Sequence, residues 1–521
     1  MTTDIDVLIV GAGPVGISAA MLLHKMGHSV RIIERREGPQ RAPAAHVINA
    51  RTFEVWRQIG VNVDHLRSLA QDPKAAGQVH WVTKLGGTVL GSLPYERQGD
   101  EMLAITPTPL RNLAQHILEP VLVDELSSMG IAVEYSTQWL SMIQEGESVV
   151  STVSHDGNDE VIVAKYLLGC DGASSAVRRE SGITMEGPDN LQSFAMIHFT
   201  ADLSSLTREC PGVLFWLCDQ GMGGTLISHG SNNEWVYMHP VDAGYVISQS
   251  DEEFEAMVRS VLIDAQVDIK ILRTSSWTMT SQIADRYRDG QVFLVGDAAH
   301  RFPPSGGMGL NSGVQDAHNL AWKMHAVLTD QATDSLLNTY EPERRPVAQR
   351  NAQASLENAF KMFEVFEALG KPNQEGLVEA IKNQQTHFDM FGLQMGYRYE
   401  LEGTTTPLAP LSDDIIRNYT PSSEPGSRLP HGWLIRDGKT ISSLDLIDLT
   451  QATVIVGPSA HVSYNCLQVG RDFEDPNAWW SNVLGLPDDA CITVRPDQHV
   501  ASRDLVGKSR GNLPLRQTRS T

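Results

Sequence analysis

The chain is poor in cysteine: Cys170, Cys210, Cys218, Cys466 and Cys491 are all it has among 521 residues. They are odd in number and scattered, with no CxxC. That argues against a disulfide framework and a cysteine-based zinc site, and it fits a reducing cytoplasm. Positive charge is scarce too, with 41 Lys and Arg against 63 Asp and Glu and a net charge of −22. Nucleic acid and anionic membrane surfaces are poor partners for such a chain. No apolar run approaches the ~20 residues that span a bilayer. The start, Met1-Thr2-Thr3-Asp4-Ile5-Asp6, carries no basic region, so Val7 to Val10 reads as a strand and not as a leader. No repeat of fixed period is present. What remains is an ordinary globular composition, 41% apolar and 20% charged. The length exceeds one ordinary core, so two or three domains are expected.

The first fifty residues carry the clearest signal. Asp6-Val7-Leu8-Ile9-Val10 is an apolar, β-rich run, and Gly11-Ala12-Gly13-Pro14-Val15-Gly16 follows at once. Ile17 to Lys25 has helical periodicity and stops at Gly27, and a second apolar run ends at Glu34. Strand, glycine turn, helix, strand and acidic end together make the dinucleotide fingerprint in its required setting. Gly11 permits the tight turn, Gly13 lets backbone approach a pyrophosphate, and Gly16 lets helix and strand pack closely. Glu34 can accept hydrogen bonds from a ribose. The motif alone does not choose between FAD and NAD.

Further on, Asn49 or Thr52 is placed to cap a helix running to Ile59 and stopped by Gly60, with His46 and Arg51 near its start. Pro109 to Pro120 reads as an amphipathic helix with Arg111 and Gln115 about one turn apart. Tyr166 to Arg179 reads as a strand, a Gly-Asp-Gly turn at Asp171-Gly172, and a helix start with a basic end. From about Ser193 to Asp285, alternating runs suggest antiparallel strands, with Trp216, Trp235, Tyr237 and Trp277 concentrated there. Val292 to Val295 is a short buried strand. Gly296-Asp297, then Pro303-Pro304, then Gly306 to Gly313 lead into a helix. A carboxylate at a strand end can take a sugar hydroxyl, and helix-start N–H groups can face negative charge.

Gly11 to Gly16, Asp171-Gly172 and Gly296-Asp297 in this order resemble the single-component FAD-dependent aromatic hydroxylases. His46 to Glu54, Gln115 to Pro120, Gly296 to His300 with Pro303-Pro304, Gly392 to Tyr399, and Val494 to Asp497 with His499 to Ala501 are most similar to the phenol, dichlorophenol and polyketide hydroxylase branch. The resemblance spans nearly the whole chain. It implies an α/β fold with an α+β middle: a Rossmann-type FAD-binding domain at 1–75, 106–185 and 286–400; an antiparallel-sheet substrate domain at 76–105 and 186–285; and a thioredoxin-like C-terminal domain at 401–521 without CxxC.

The resemblance further implies FAD on Gly11, Gly13, Gly16, Glu34, Arg35, Gln115 and Asp297, with Pro304 and the Gly309-Leu310-Asn311 backbone beside the flavin ring. Asp171, Gly172 and Arg178 would serve FAD and NADH or NADPH. No second complete fingerprint exists for the nicotinamide. The family arginine two residues before His46 is Ala44 here, with Arg41 as the possible substitute. Ser502 stands where an aromatic is common. By the same resemblance, O₂ and the reduced flavin form a C4a-hydroperoxide that oxygenates a small aromatic substrate, and His46 is the base for its hydroxyl. Baeyer–Villiger insertion and epoxidation use the same machinery and stay open. A halogenase would need Trp-x-Trp-x-Ile-Pro, which is missing. A non-enzymatic flavin module is the remaining alternative. No metal is expected, and a homodimer is possible.

Overall fold

The computed structural model describes residues 4–219, 223–230, 233–263, 266–401, 407–461 and 465–505. β1 (Ile5–Val10) lies inside a sheet, parallel to β2 (Val30–Ile33) on one side and to the strand Asn158–Gly169 on the other. Asn158–Gly169 in turn pairs in parallel with Val292–Leu294. Val7, Leu8 and Ile9 are wholly buried, as a parallel strand covered on both faces must be. α1 (Pro14–Lys25) starts with a proline, which has no N–H to leave unpaired.

Two glycines set how closely the helices approach this sheet. A Cβ on Gly16 would stand 2.0 Å from the Gly11 carbonyl oxygen, and one on Gly313 would stand 2.5 Å from Val15. α1 and the long helix Met308–Leu328 are thereby drawn together over one end of the sheet. Both begin at the carboxyl ends of their strands, where ligands bind in open α/β sheets.

A second sheet has seven strands, in the order Lys270–Met279, Gln192–Thr200, Glu234–Val241, Gly224–Ser228, Leu214–Leu217, Gln78–Val82 and Val89–Pro94. The expected antiparallel pattern holds except between Leu214–Leu217 and Gln78–Val82, which run parallel. A third, four-stranded sheet near the C-terminus joins Leu467–Gln468, Thr453–Val456, Ala490–Val494 and Val500–Leu505. Its core includes Ile455, Trp479, Ile492 and Val500.

α2 (Ala50–Ile59) has the expected ends. The Asn49 side chain accepts from the Thr52 amide, and Gly60 closes the helix at φ 94°. The helix expected over Pro109 to Pro120 begins only at Gln115 and runs to Ser128. Arg111–Asn112 instead pairs as a short strand with Val47–Ile48. Pro107 and Pro109 favour extended backbone before them, and the long-range pairing overrides helical periodicity. Arg111 and Gln115 therefore do not share a helix face. Among the described residues no helix is long and apolar enough to cross a membrane.

Candidate active site

At the β2 end, the Glu34 carboxylate accepts from the Ala12 amide at 2.9 Å and from the Arg36 amide at 3.0 Å. The Arg36 guanidinium lies 3.1 Å from Glu34 and 3.3 Å from Glu119. Burial opposes the charge on Glu34, yet Arg36 and the two amides outweigh it and hold its pKa below the usual range. Arg36, not the exposed Arg35, thus occupies this corner. Arg41 and Ala44 are exposed as well. The Gln115 amide donates to Glu119 at 2.6 Å and accepts from the Ala45 amide at 3.3 Å.

The Asp171 carboxylate accepts from the amides of Ala176 and Val177 at 2.6 and 3.2 Å. Its other oxygen, Oδ1, is buried with no partner. Gly172 turns the chain at φ 77°, and neither it nor Gly13 has any heavy atom within 4 Å of where a Cβ would stand. Arg178 is 5% exposed and donates to the carbonyls of Ala298 and Ala173, both at 2.9 Å. Arg301 donates to the same Ala173 carbonyl. Burial and the neighbouring Arg301 push Arg178 down to about 10. Among the described residues no carboxylate hydrogen-bonds to either guanidinium.

Asp297 follows the strand Val292–Leu294. Its carboxylate is open to solvent within a groove, 3.6 Å from where a Cβ on Gly309 would sit. Enclosure raises its pKa against the pull of His300 and Arg301. Beneath it, buried Asp316 accepts from His300 and from Arg344, both at 2.6 Å, which fixes the loop from below.

The loop then needs its glycines. Gly306 and Gly307 have φ of 71° and 60°. A Cβ on Gly306 would meet Met390 Sδ at 2.0 Å, and one on Gly307 would meet Val47 at 2.5 Å. Pro304 is exposed, and Gly309 and Leu310 are half-buried. Asn311 is buried, and its side chain is fully used. It accepts from the Asn49 amide and Thr52 hydroxyl at 3.0 and 2.7 Å, and donates to the Val47 and Gly307 carbonyls at 2.8 and 2.6 Å. Only its backbone is left for a ligand.

Because Val47 abuts Gly307, its neighbour His46 stands beside this loop. His46 Nε2 is 3.2 Å from the Tyr95 hydroxyl, and the two rings are nearly parallel at 6.4 Å. Desolvation pushes His46 down to about 4. Trp81, Leu93, Tyr95, Leu110 and Phe388 share one buried apolar cluster with Val47 and form an apolar wall. Next to Tyr95, Glu96 is buried at φ 50°. Burial and Asp389 push Glu96 up to about 8, so it is largely neutral at physiological pH. Tyr95, Glu96, Arg36 and Arg301 were not picked out by sequence reasoning. Tyr95 and Glu96 lie in a segment with no motif spacing, while Arg36 and Arg301 lie at the edges of motifs with nothing local to mark them, and only the fold shows what each one meets.

The groove fits FAD. The open space over Gly13 and Gly172, the orphaned Asp171 oxygen and the accessible Asp297 carboxylate are what a dinucleotide with a ribityl chain requires. Residues 4–355 match the family described as the FAD binding domain. The chain belongs to the FAD-dependent aromatic hydroxylases. It is 29% identical to a 2,4-dichlorophenol 6-monooxygenase of Delftia acidovorans over 96% of this chain and 95% of the relative. It is also 29% identical to a putative polyketide hydroxylase of Streptomyces halstedii over 99% of this chain and 95% of the relative. The structure of the flavin-dependent monooxygenase PieE in complex with FAD and substrate matches with a TM-score of 0.90 at 27% identity, covering 97% of both chains.

In this hydroxylase, Asp297→Ala is expected to weaken FAD binding. Loss of a hydrogen bond to a charged group is worth ~1.5–3 kcal/mol, or roughly 10- to 150-fold in affinity. Flavin content after exhaustive dialysis measures it, and full occupancy in the variant would remove Asp297 from the site.

Proposed function

We propose that the chain hydroxylates a phenol or related aromatic ring, with NADH or NADPH as electron donor and O₂ as co-substrate. The observation that carries this is the His46–Tyr95 pair, set beside the Gly306–Gly307 loop and backed by an apolar wall. Reduced FAD supplies the activated oxygen. Gly11, Gly13, Gly16, Glu34, Gln115, Asp171, Gly172 and Asp297 hold the cofactor, and the Gly309-Leu310-Asn311 backbone faces its ring. Arg36 supports Glu34. Arg178 and Arg301, to which no carboxylate hydrogen-bonds among the described residues, face the anionic pyrophosphates of FAD or of the nicotinamide donor.

The chemistry asked of this chain's residues is proton handling and exclusion of water. A phenolate is far more nucleophilic than a phenol. Tyr95 orients His46, and His46 takes the substrate's hydroxyl proton. Burial lowers the basicity of His46, and a phenolate forming beside it raises that basicity again. Trp81, Leu93 and Phe388 keep water from the reacting atoms.

The division into FAD-binding, middle and thioredoxin-like units is supported by separate hydrophobic cores and by the C-terminal four-stranded sheet. No disulfide joins the five cysteines, all of them among the described residues, which supports a cytoplasmic setting. A homodimer would cover Phe360 and Phe363, which are exposed and stacked on each other.

The test is a screen of phenols, hydroxypyridines and polyketide phenols for stimulated NAD(P)H consumption, with mass spectrometry of products. A ring hydroxyl added to a consumed phenol is expected. Oxygen inserted into a carbon–carbon bond, or no stimulation by any aromatic, would overturn the reading.

A further inference from the structure

Behind His46 the fold assembles a row of histidines from four distant segments. The His46 and His229 rings are 5.7 Å apart, His229 and His116 are 6.2 Å apart, and His116 and His198 are 6.1 Å apart. His46 precedes Val47–Ile48, and His229 lies just after the strand Gly224–Ser228. His116 is in the first turn of Gln115–Ser128, and His198 is in the strand Gln192–Thr200. Glu234 closes the row: its Oε2 is 2.9 Å from His116 Nε2 and 3.2 Å from His198 Nε2.

Three features separate this row from ordinary polar packing. His229 is 4% exposed, yet its Nδ1 has no partner, and His116 Nδ1 is likewise buried and unpartnered. Buried ring nitrogens are normally satisfied, so each calls for a water or a transient proton. A cavity of about 280 Å³, lined in part by Gln71, Asn112 and Ser228, opens against His229 and has room for bridging waters. Glu234 keeps 16% of its side-chain exposure, so the far end of the row meets solvent. Among the described residues no cluster of His, Cys, Asp or Glu converges as a metal site, so a row and not a cage is what the fold builds.

We propose that His229, His116 and Glu234 form the path by which the proton taken by His46 from the substrate leaves for solvent. This rests on the reading of His46 as the base. Imidazole suits the task, since it can accept a proton at one nitrogen and release one from the other. His46 Nε2 faces Tyr95, so a proton entering on that side departs from Nδ1. Burial holds His46 and His229 below the ordinary imidazole range, so neither keeps the proton. Tyr95 faces the inner end of the row. Arg273 stands near His198, which also shares Glu234 and so positions that carboxylate. The balance is simple: one O–H bond of the substrate breaks, one proton reaches bulk water, and the substrate keeps the electron pair as phenolate. His229, His116 and Glu234 are positioning residues, since they act through His46.

The experiment uses the FAD-loaded full chain and 4-nitrophenol, whose ionisation is coloured, with a pH indicator in stopped flow. The wild type is expected to ionise the bound phenol and release its proton in one phase. H229F and E234Q should keep FAD and phenol affinity but release the proton at least ~10-fold more slowly, below the full 10²–10⁴ of general-base assistance because water can partly substitute. Added imidazole should restore the rate in H116A, which mere structural damage would not allow. E234Q sits at the partly exposed end, so it tests the path even where H229F fails to fold. Wild-type release rates in both E234Q and H116A would overturn the relay while leaving His46 in place. Failure of the wild type to bind or ionise the phenol, or ionisation unchanged in H46A, would remove the His46 reading and the relay together.

Discussion

Replacing His46 by alanine is expected to cut hydroxylated product by roughly 10²- to 10⁴-fold at neutral pH, the range of general-base assistance. FAD retention and NAD(P)H oxidation should persist, with hydrogen peroxide formed in place of product. The pH dependence separates a base from a packing residue. His46 is pushed down to about 4, so its ring is neutral, and able to accept a proton, at every higher pH. The wild-type yield should therefore be flat through neutrality and fall only as pH approaches that value. In H46A nothing accepts the proton, so ionisation depends on the free phenol, whose pKa is ~10 by analogy with tyrosine. The H46A deficit should be largest in acid and should shrink as pH approaches the pKa of the phenol. A deficit that is the same at all pH values, or no deficit at all, would take His46 out of the mechanism.

Glu343→Ala is expected to lower stability by ~3–5 kcal/mol, the loss typical when one partner of a buried ion pair is removed. Glu343, on the helix Tyr340–Leu369, accepts from both terminal nitrogens of Arg495 at 2.9 and 2.7 Å. It also accepts from Lys323 at 2.9 Å and Asn319 at 2.7 Å. Arg495 in turn donates to Asp497 at 3.0 and 2.6 Å. Two cations and two carboxylates therefore balance, and they join the C-terminal segment to two helices of the FAD-binding part. Without Glu343, Lys323 can shed its proton; burial already pushes it down to about 8. Arg495 cannot, and it is left with Asp497 alone. Burial opposes the charge on Glu343, but Arg495 and Lys323 outweigh it and depress its pKa to about 2. A depressed carboxylate stabilises above its unfolded value and loses that contribution as pH falls through the folded one. The difference between wild type and variant should thus be complete near neutrality and narrow in acid, from the ordinary glutamate range toward about 2. Urea unfolding followed by tryptophan fluorescence reads it. Equal midpoints at neutral pH would show that the network contributes nothing net.

Much of the cofactor groove was legible because its parts are local. The turn Gly11 to Gly16 needs neighbours a few residues away: Gly16 must clear the Gly11 carbonyl, and Glu34 must end the next strand. Short spacing of this kind is visible in any chain that has it. The cap Asn49, the stop Gly60 and the strand before Gly296 are local in the same sense. Long-range pairing is not local. The segment around Arg111 is amphipathic by itself, as a helix would be, but pairing of Arg111–Asn112 with Val47–Ile48 makes it a strand. Arg35 and Arg36 are alike by spacing, and only the fold sets Arg36 against Glu34 and Glu119, the latter far along the chain, while leaving Arg35 exposed.

The amino-acid sequence by itself determined the class of this protein: a dinucleotide fold, three cofactor motifs in family order, and a histidine ahead of a capped helix. Those features are enforced by backbone sterics and short-range hydrogen bonds, which act between near neighbours. Only the tertiary structure decided what surrounds that histidine. Tyr95, His229, His116, His198 and Glu234 share no spacing with His46 or with one another. They meet because the seven-stranded sheet and the helix Gln115–Ser128 close on the same corner. The same holds for Arg495 and Glu343, 152 positions apart, whose buried charges come together only when two separate parts of the chain dock.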